Sequence, residues 1–123
     1  MSRRLNRGTA YVTLTESTAA MKKNKTLGMI VAAPFEVNII ARSLKGTRKK
    51  STGGLTWHSG RLGRSEIVYV VSGIGKTNAA HAATVLIQNF SPSLVVNFGI
   101  GGAYPSSGSS LGDIAVASKA APF

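Results

Sequence analysis

Residues Glu66–Ile87 read EIVYVVSGIGKTNAAHAATVLI. An apolar, β-branched run leads into a glycine turn and then into an alanine-rich run with helical spacing, so the stretch reads as strand, turn, helix. The turn, Ser72-Gly73-Ile74-Gly75-Lys76-Thr77, carries the Gly-Lys-Thr ending of a nucleotide-triphosphate loop. Such a loop needs Gly-x-x-x-x-Gly-Lys-Ser/Thr, because successive backbone N–H groups must wrap the phosphates. Counting back from Gly75, the first glycine belongs at position 70, where this chain has Val70. A β-branched residue there continues the strand and cannot turn around a phosphate. The P-loop reading is therefore rejected, and Lys76 and Thr77 become first-turn residues of a helix. Gly73 and Gly75 are left to make a tight turn with positive φ or close backbone approach. That turn aims the free N–H groups of the helix N-terminus over the strand ends.

Moving outward, TLGMIVAA (26–33) is a continuous apolar run, as expected of a strand buried on both faces. Pro34 suits the first turn of a helix, PFEVNIIARSLK, with Phe35, Ile39 and Ile40 on one side. GTRKKSTGG reads as a loop. LTWHSGRLG and SEIVYVVS read as two strands paired around Gly63-Arg64. A helix from about Lys76 to Phe90 puts Ala79, Ala83, Leu86 and Phe90 on one face and His81, Thr84 and Gln88 on another, and Pro92 ends it. SLVVNFG and DIAVAS are further strands, separated by the loop GGAYPSSGSS. Strands alternating with helices imply an α/β fold, a mixed sheet flanked by helices.

A second glycine cluster, Gly99-Ile100-Gly101-Gly102, leaves the strand LVVN. It partly mimics a dinucleotide fingerprint, but a loop rather than a helix follows, so the Rossmann reading fails. Two glycine loops leaving buried strands still mark the place where open α/β sheets bind ligands. Glu36 lies just past a third strand end. It reads equally as a first-turn residue facing the helix dipole and as a functional carboxylate.

The 123 residues fit one small domain or part of a larger one, and 43% hydrophobic residues suffice for a packed core. With no cysteine, a disulfide framework and thiolate metal sites are excluded, which fits a reducing cytoplasm. No apolar run reaches the ~18 residues of a membrane span. The net charge is +11, with Glu16, Glu36, Glu66 and Asp113 the four acids. The cations cluster at Arg3, Arg4 and Arg7, at Lys22, Lys23 and Lys25, and at Arg48, Lys49 and Lys50. No aromatic residues are interleaved with them, as a nucleic-acid stacking platform requires, so solvated surface is the favoured reading. His58 and His81 have no neighbouring acid pattern and read as surface or hydrogen-bonded histidines. Trp57 reads as core or a subunit contact, and Asp113 as a turn residue. Residues 1–25 lack periodicity and an apolar signal region and read as a flexible N-terminal extension; their Arg/Ser/Thr-rich, acid-poor composition loosely suits an organelle transit peptide, but the favoured reading takes Met21 as the true start.

Three segments together, GMIVAAPFEV, VVSGIGKTNAAHAATVLI and VVNFGIGGAYPSSGSSLGDIAVAS, resemble the N-terminal half of the nucleoside phosphorylase superfamily, and more narrowly its nucleosidase branch. The resemblance runs from Thr26 to Ser118 and makes residues 26–123 a partial phosphorylase/hydrolase-like domain. Phosphorylases carry a Gly-Asp-Pro-x-x-Arg-like segment after the first strand, whose Arg binds phosphate. Here the segment is Ala33-Pro34-Phe35-Glu36. This is similar to the hydrolases, whose glutamate positions the attacking water. A carboxylate repels phosphate and can accept a proton from water, so the resemblance makes Glu36 the catalytic candidate. It also implies that Gly73 and Gly75 line the space of the nucleophile. The backbone of Ile100, Gly101 and Gly102 would face the nucleoside, and Ala33 would line the pocket.

Methylthioadenosine/adenosylhomocysteine nucleosidases usually read Gly-Ser-Ala-Gly-Gly at the second loop. Gly99-Ile100-Gly101-Gly102-Ala103-Tyr104-Pro105 instead resembles the Gly-Ile-x-Gly-Ala-aromatic-Pro loop of futalosine hydrolase. That resemblance implies hydrolysis of futalosine with release of hypoxanthine, in menaquinone biosynthesis, in the cytoplasm. It implies no metal or organic cofactor, no nucleic-acid or membrane partner, and a homo-oligomer for a full-length member. The methylthioadenosine-type nucleosidase is the alternative within the family. The family's ribose-binding Met-Glu pair and its leaving-group Asp belong to a C-terminal half that does not follow Ser118, so the chain reads as a truncated product. A catalytically inactive nucleoside-binding fragment and a basic nucleic-acid-binding module are the rival classes.

Overall fold

A computed structural model describes residues 5–6, 10–16 and 25–121. Met21, with Arg3, Arg4, Arg7, Lys22 and Lys23, lies outside the described residues. The strands are β1 (Leu5–Asn6), β2 (Ala10–Glu16), β3 (Thr26–Val31), β4 (Lys45–Thr52), β5 (Leu55–Leu62), β6 (Ser65–Val71), β7 (Leu94–Ile100) and β8 (Asp113–Ala117). The helices are α1 (Pro34–Ser43) and α2 (Lys76–Phe90), and Pro105–Ser107 forms a short 3-10 turn. The strands make one sheet in the order β1-β8-β2-β7-β3-β6-β5-β4.

The centre of the sheet is parallel: β3 lies between β6 and β7 and runs parallel to both. Both faces of this centre are covered, which is why β3 and β6 read as unbroken apolar runs. Side chains alternate across a strand, so Met29 and Val31 of β3, Ile67 and Tyr69 of β6 and Val96 of β7 pack with Val37 of α1 and with Leu44, its C-cap. Ile30 of β3, Val68 and Val70 of β6 and Trp57 of β5 pack on the other face with Ala82, Val85 and Leu86 of α2. Val70 is wholly buried within the strand, consistent with its unsuitability as a phosphate-loop residue. Ser93 joins the strand beginnings, its N–H and Oγ each donating to the Thr26 carbonyl at 2.9 Å.

Two local readings need correction. GTRKKSTGG is not simply a loop, because Lys45–Thr52 is the edge strand β4, antiparallel to β5 with a register shift between Lys45 and Arg48. Its side chains are almost all exposed, so it lacks the apolar alternation that marks a half-buried strand. Dense charge of this kind is also what keeps a sheet edge from pairing with another chain. On α1 the buried residue is Val37, with Ile40 and Ala41 half-buried, whereas Phe35 and Ile39 point outward. Within the segment expected to be a flexible extension, β2 pairs antiparallel with β7 and parallel with β8, and β1 pairs with β8. The hairpin around Gly63-Arg64 and the limits of α2 are as expected. Beyond Phe90, Ser91 takes a left-handed conformation (φ 43°) as the C-cap, just before Pro92.

The buried aromatic Trp57 packs on Phe90 with ring centroids 5.0 Å apart, and its indole N–H donates to the Thr52 carbonyl. His58 stacks on Tyr69 at 4.9 Å across the β5–β6 pair, and His81 meets the Gly53 carbonyl at 2.7 Å, so both histidines have structural partners. Asp113 accepts from the Ser110 N–H as a turn residue.

Two outcomes follow from this packing. Leu86 is fully buried against the sheet, so Leu86→Ala should lower the unfolding free energy by about 2–5 kcal/mol in urea denaturation. Burial, and after it the charge of Lys49, holds the His58 imidazole below its ordinary value. Its protonation therefore favours the unfolded chain. The contribution of neutral His58 should be complete above about pH 6.5 and fall away as pH drops through the lowered folded value. His58→Phe, which keeps a ring over Tyr69, should flatten that part of the stability–pH curve.

Candidate active site

The C-terminal ends of β7, β3 and β6 lie side by side because the three strands are parallel neighbours. In an open α/β sheet this edge is where a ligand meets helix N-termini and loop backbone. Three connections leave it: Ala32-Ala33 into α1, Ser72–Gly75 into α2, and Gly101–Gly112 toward β8. Ser72 fastens the second to the first, its N–H donating to the Val31 carbonyl at 2.8 Å and its Oγ at 3.2 Å.

Glu36 holds the first connection to the third. It is the third residue of α1 and its side chain turns back over the helix start. Oε2 accepts from the N–H groups of Ala32 (3.0 Å) and Ala33 (2.9 Å). Oε1 accepts from the N–H of Ile100, 64 residues along the chain, at 2.9 Å. Glu36 thus caps α1 and clasps β7 with the same carboxylate, and the two readings of this residue are not exclusive. A carboxylate offers about four acceptor sites. Among the described residues three are filled, which leaves room on Oε1 for a water.

Of the remaining candidates, Ala33 is the N-cap of α1 and donates to Glu36. Ile100 ends β7 and also donates to Glu36, while its side chain is 67% exposed. Gly101 and Gly102 begin the loop that follows. Gly73 (φ 86°) and Gly75 (φ 107°) take the positive φ that a tight strand-to-helix turn demands, and Gly75 is the N-cap of α2. Asn78 completes this turn by donating to the Ile74 carbonyl. Lys76 and Thr77 are exposed first-turn residues. Among the described residues no hydrogen bond joins Gly73 or Gly75 to Glu36. They stand at the adjacent strand end, related to it through Ser72.

Gly99 has a part that the sequence reading did not single out. A Cβ at this position would lie 2.7 Å from Glu36 Oε1. Only glycine lets the carboxylate lie against β7 and reach the Ile100 N–H. The signal was available in sequence as a glycine interrupting a β-branched strand, which often marks close backbone approach. The electrostatics are simple: one carboxylate, held by three N–H donors at a helix N-terminus, where the dipole favours negative charge. Among the described residues no group of His, Cys, Asp and Glu could hold a metal ion, and no helix is long and apolar enough to cross a membrane.

Comparison with known proteins agrees with this geometry and corrects one expectation. Residues 26–123 match the phosphorylase superfamily. Over 93 residues the chain is 36% identical to the 5'-methylthioadenosine/S-adenosylhomocysteine nucleosidase of Maridesulfovibrio salexigens, covering 76% of this chain and 40% of that protein. The chain therefore spans about two fifths of the length of the curated relatives it matches. The structure of the corresponding nucleosidase from Colwellia psychrerythraea, solved with adenine, superposes with a TM-score of 0.58 at 40% identity, covering 59% of this chain and 30% of that one. Futalosine hydrolase of Helicobacter pylori is more distant, at 25% identity and a TM-score of 0.51, with 55% and 30% covered.

The futalosine assignment, with hypoxanthine release and a place in menaquinone biosynthesis, is therefore overturned: the relatives at 31–40% identity bear the methylthioadenosine/adenosylhomocysteine nucleosidase name. The distinction had been carried by the loop of residues 99–105, and part of the physical reason lies in the side chain of Ile100 within it. That side chain is largely exposed, and what the site uses is the backbone N–H, which any residue but proline supplies. The match over residues 26–123, the mixed sheet flanked by helices and the parallel strand ends together place the chain in the phosphorylase superfamily.

Proposed function

We propose that residues 26–123 are the N-terminal half of a nucleosidase domain that hydrolyses the N-glycosidic bond of 5'-methylthioadenosine and S-adenosylhomocysteine. Glu36 is the group that takes a proton from the attacking water. The observation carrying this reading is the seat of Glu36, a carboxylate held by three backbone N–H groups where two parallel strands end. Relatives that bear the nucleosidase name at 31–40% identity support it.

In the reaction, water oxygen bonds to the anomeric carbon as the C–N bond to the purine breaks. The bonding pair leaves with the purine nitrogen, which takes a proton from an acid in the rest of the domain. The proton lost by water passes to Glu36. A carboxylate here favours water over phosphate, since an anion beside it would be repelled. Fixing the carboxylate on rigid backbone donors positions the water without reorganisation, which is where such a site gains rate. In this reading Gly73 and Gly75 form the floor beside the water. The backbone of Ile100, Gly101 and Gly102 faces the nucleoside, and Ala33 lines the pocket. We further take the protein to be cytoplasmic, to act on a small-molecule nucleoside, and to assemble as a homo-oligomer in its complete form.

A direct test grafts residues 26–118 into the Colwellia nucleosidase in place of the corresponding N-terminal segment and follows adenine release from 5'-methylthioadenosine. The folded chimera should turn over. Glu36→Gln should slow it by about 10²–10⁴-fold while an unreactive nucleoside analogue still binds. A folded chimera without adenine release, or a Gln variant as fast as its parent, would refute the assignment. Gly99→Ala in the same chimera should push the carboxylate off the Ile100 N–H. We expect kcat to fall by up to about 10²-fold with little change in KM; unchanged kcat would show that the clasp has no part in turnover.

A further inference from the structure

At the opposite end of β6 from the glycine turn, the sheet carries a second polar feature. β6 begins at Ser65, so Glu66 lies roughly 20 Å along the strand from Gly73 at ~3.3 Å per residue. Register places Arg61 of β5 directly across from Glu66, and Arg48 of β4 across from Ser59. Ser59 and Arg61 are two residues apart on one strand, so Arg48, Arg61 and Glu66 all project from the same face. That is the face on which α2 packs, since Trp57 and Val68 belong to it. The helix covers the rows of Val70 and Val68, and the Arg61–Glu66 row lies beyond them. There the two-residue turn Gly63-Arg64 brings a third guanidinium to the same place. Arg48, Arg61, Arg64 and Glu66 line an open cavity of about 240 Å³.

The charges do not balance. Arg48 donates to Glu66 Oε1 at 3.0 Å, which is the one ion pair among the described residues. Three guanidinium groups against one carboxylate leave an excess of two positive charges facing the cavity. Folding alone gives no reason to gather them, since like charges this close repel. A guanidinium presents its donors as a planar fork that matches phosphate oxygens two at a time. A phosphate monoester carries about −1.5 to −2 charges near neutral pH, which matches the excess.

We propose that Arg48, Arg61 and Arg64 form a binding site for a compact phosphate dianion, such as inorganic phosphate or the phosphoryl group of a small metabolite, separate from the nucleoside end of the sheet. Glu66 holds Arg48 in place and, by its own charge, limits affinity. The site is convergent rather than extended. Of the nearby aromatic residues, Trp57 is buried and Tyr69 is stacked under His58 on the other face, so there is no platform for unpaired bases. This favours a compact anion over a nucleic-acid strand. The proposal does not depend on the catalytic reading of Glu36.

The test titrates the full chain at low ionic strength with inorganic phosphate and with pyrophosphate, following backbone amide shifts and heat. Saturable one-to-one binding is expected, with shifts confined to residues 47–49 and 60–67. Arg61→Gln and Arg64→Gln, both at exposed positions, should each weaken it about tenfold or more. Glu66→Gln should tighten it several-fold, an effect opposite in sign to anything a damaged fold would produce. No saturation, or arginine variants that bind like the parent, would overturn the proposal. So would a DNA oligonucleotide that binds more tightly than pyrophosphate and depends on Lys49 and Lys50 rather than on Arg61 and Arg64, since that would mark an extended polyanion surface.

Discussion

The carboxylate of Glu36 ties together two pieces of chain that are distant in sequence, and the arrangement of the site depends on that tie. Its partners are backbone N–H groups, so the contact relies on where β3 and β7 end rather than on neighbouring side chains. The strand ends are brought level by parallel pairing, which Ser93 anchors at the far end by its two hydrogen bonds to Thr26. Gly99 then removes the one Cβ that would keep the carboxylate away from β7. The same contact satisfies donors at the start of α1.

Much of this was legible in the sequence because the relevant signals are local. Continuous apolar runs marked β3, β6 and β7, and Val70 alone separated a strand from a phosphate loop. Gly63-Arg64 marked a hairpin turn, and Pro34 a helix start. What was not legible depends on neighbours. β4 is an edge strand whose extended form comes from its backbone ladder with β5, so side-chain periodicity could not reveal it. On α1 the spacing of Phe35, Ile39 and Ile40 suggested a face, but of these only Ile40 is covered, beside Val37 and Ala41. That the Ile100 N–H reaches Glu36, 64 residues away, is a tertiary contact that no local pattern signals. The partners of β7 and β8 within β2 are likewise a matter of backbone pairing rather than pattern.

The two ends of the central strands are chemically unlike. One end carries the carboxylate of Glu36 among glycines and backbone donors. The other carries an excess of guanidinium groups around one acid. The strong positive balance of the chain is therefore not spread evenly over it, and the basic corner stands apart from the strand ends where Glu36 sits.

The central claim is that Glu36 clasps β7 as well as capping α1. The most direct measurement follows backbone amide proton shifts while pH is lowered through the range in which carboxylates protonate. If the clasp exists, the amide protons of Ala33 and Ile100 will move together with one common midpoint, and both movements will vanish in Glu36→Gln. If Ala33 moves while Ile100 stays still, Glu36 is only a helix cap, and the site as described here does not form.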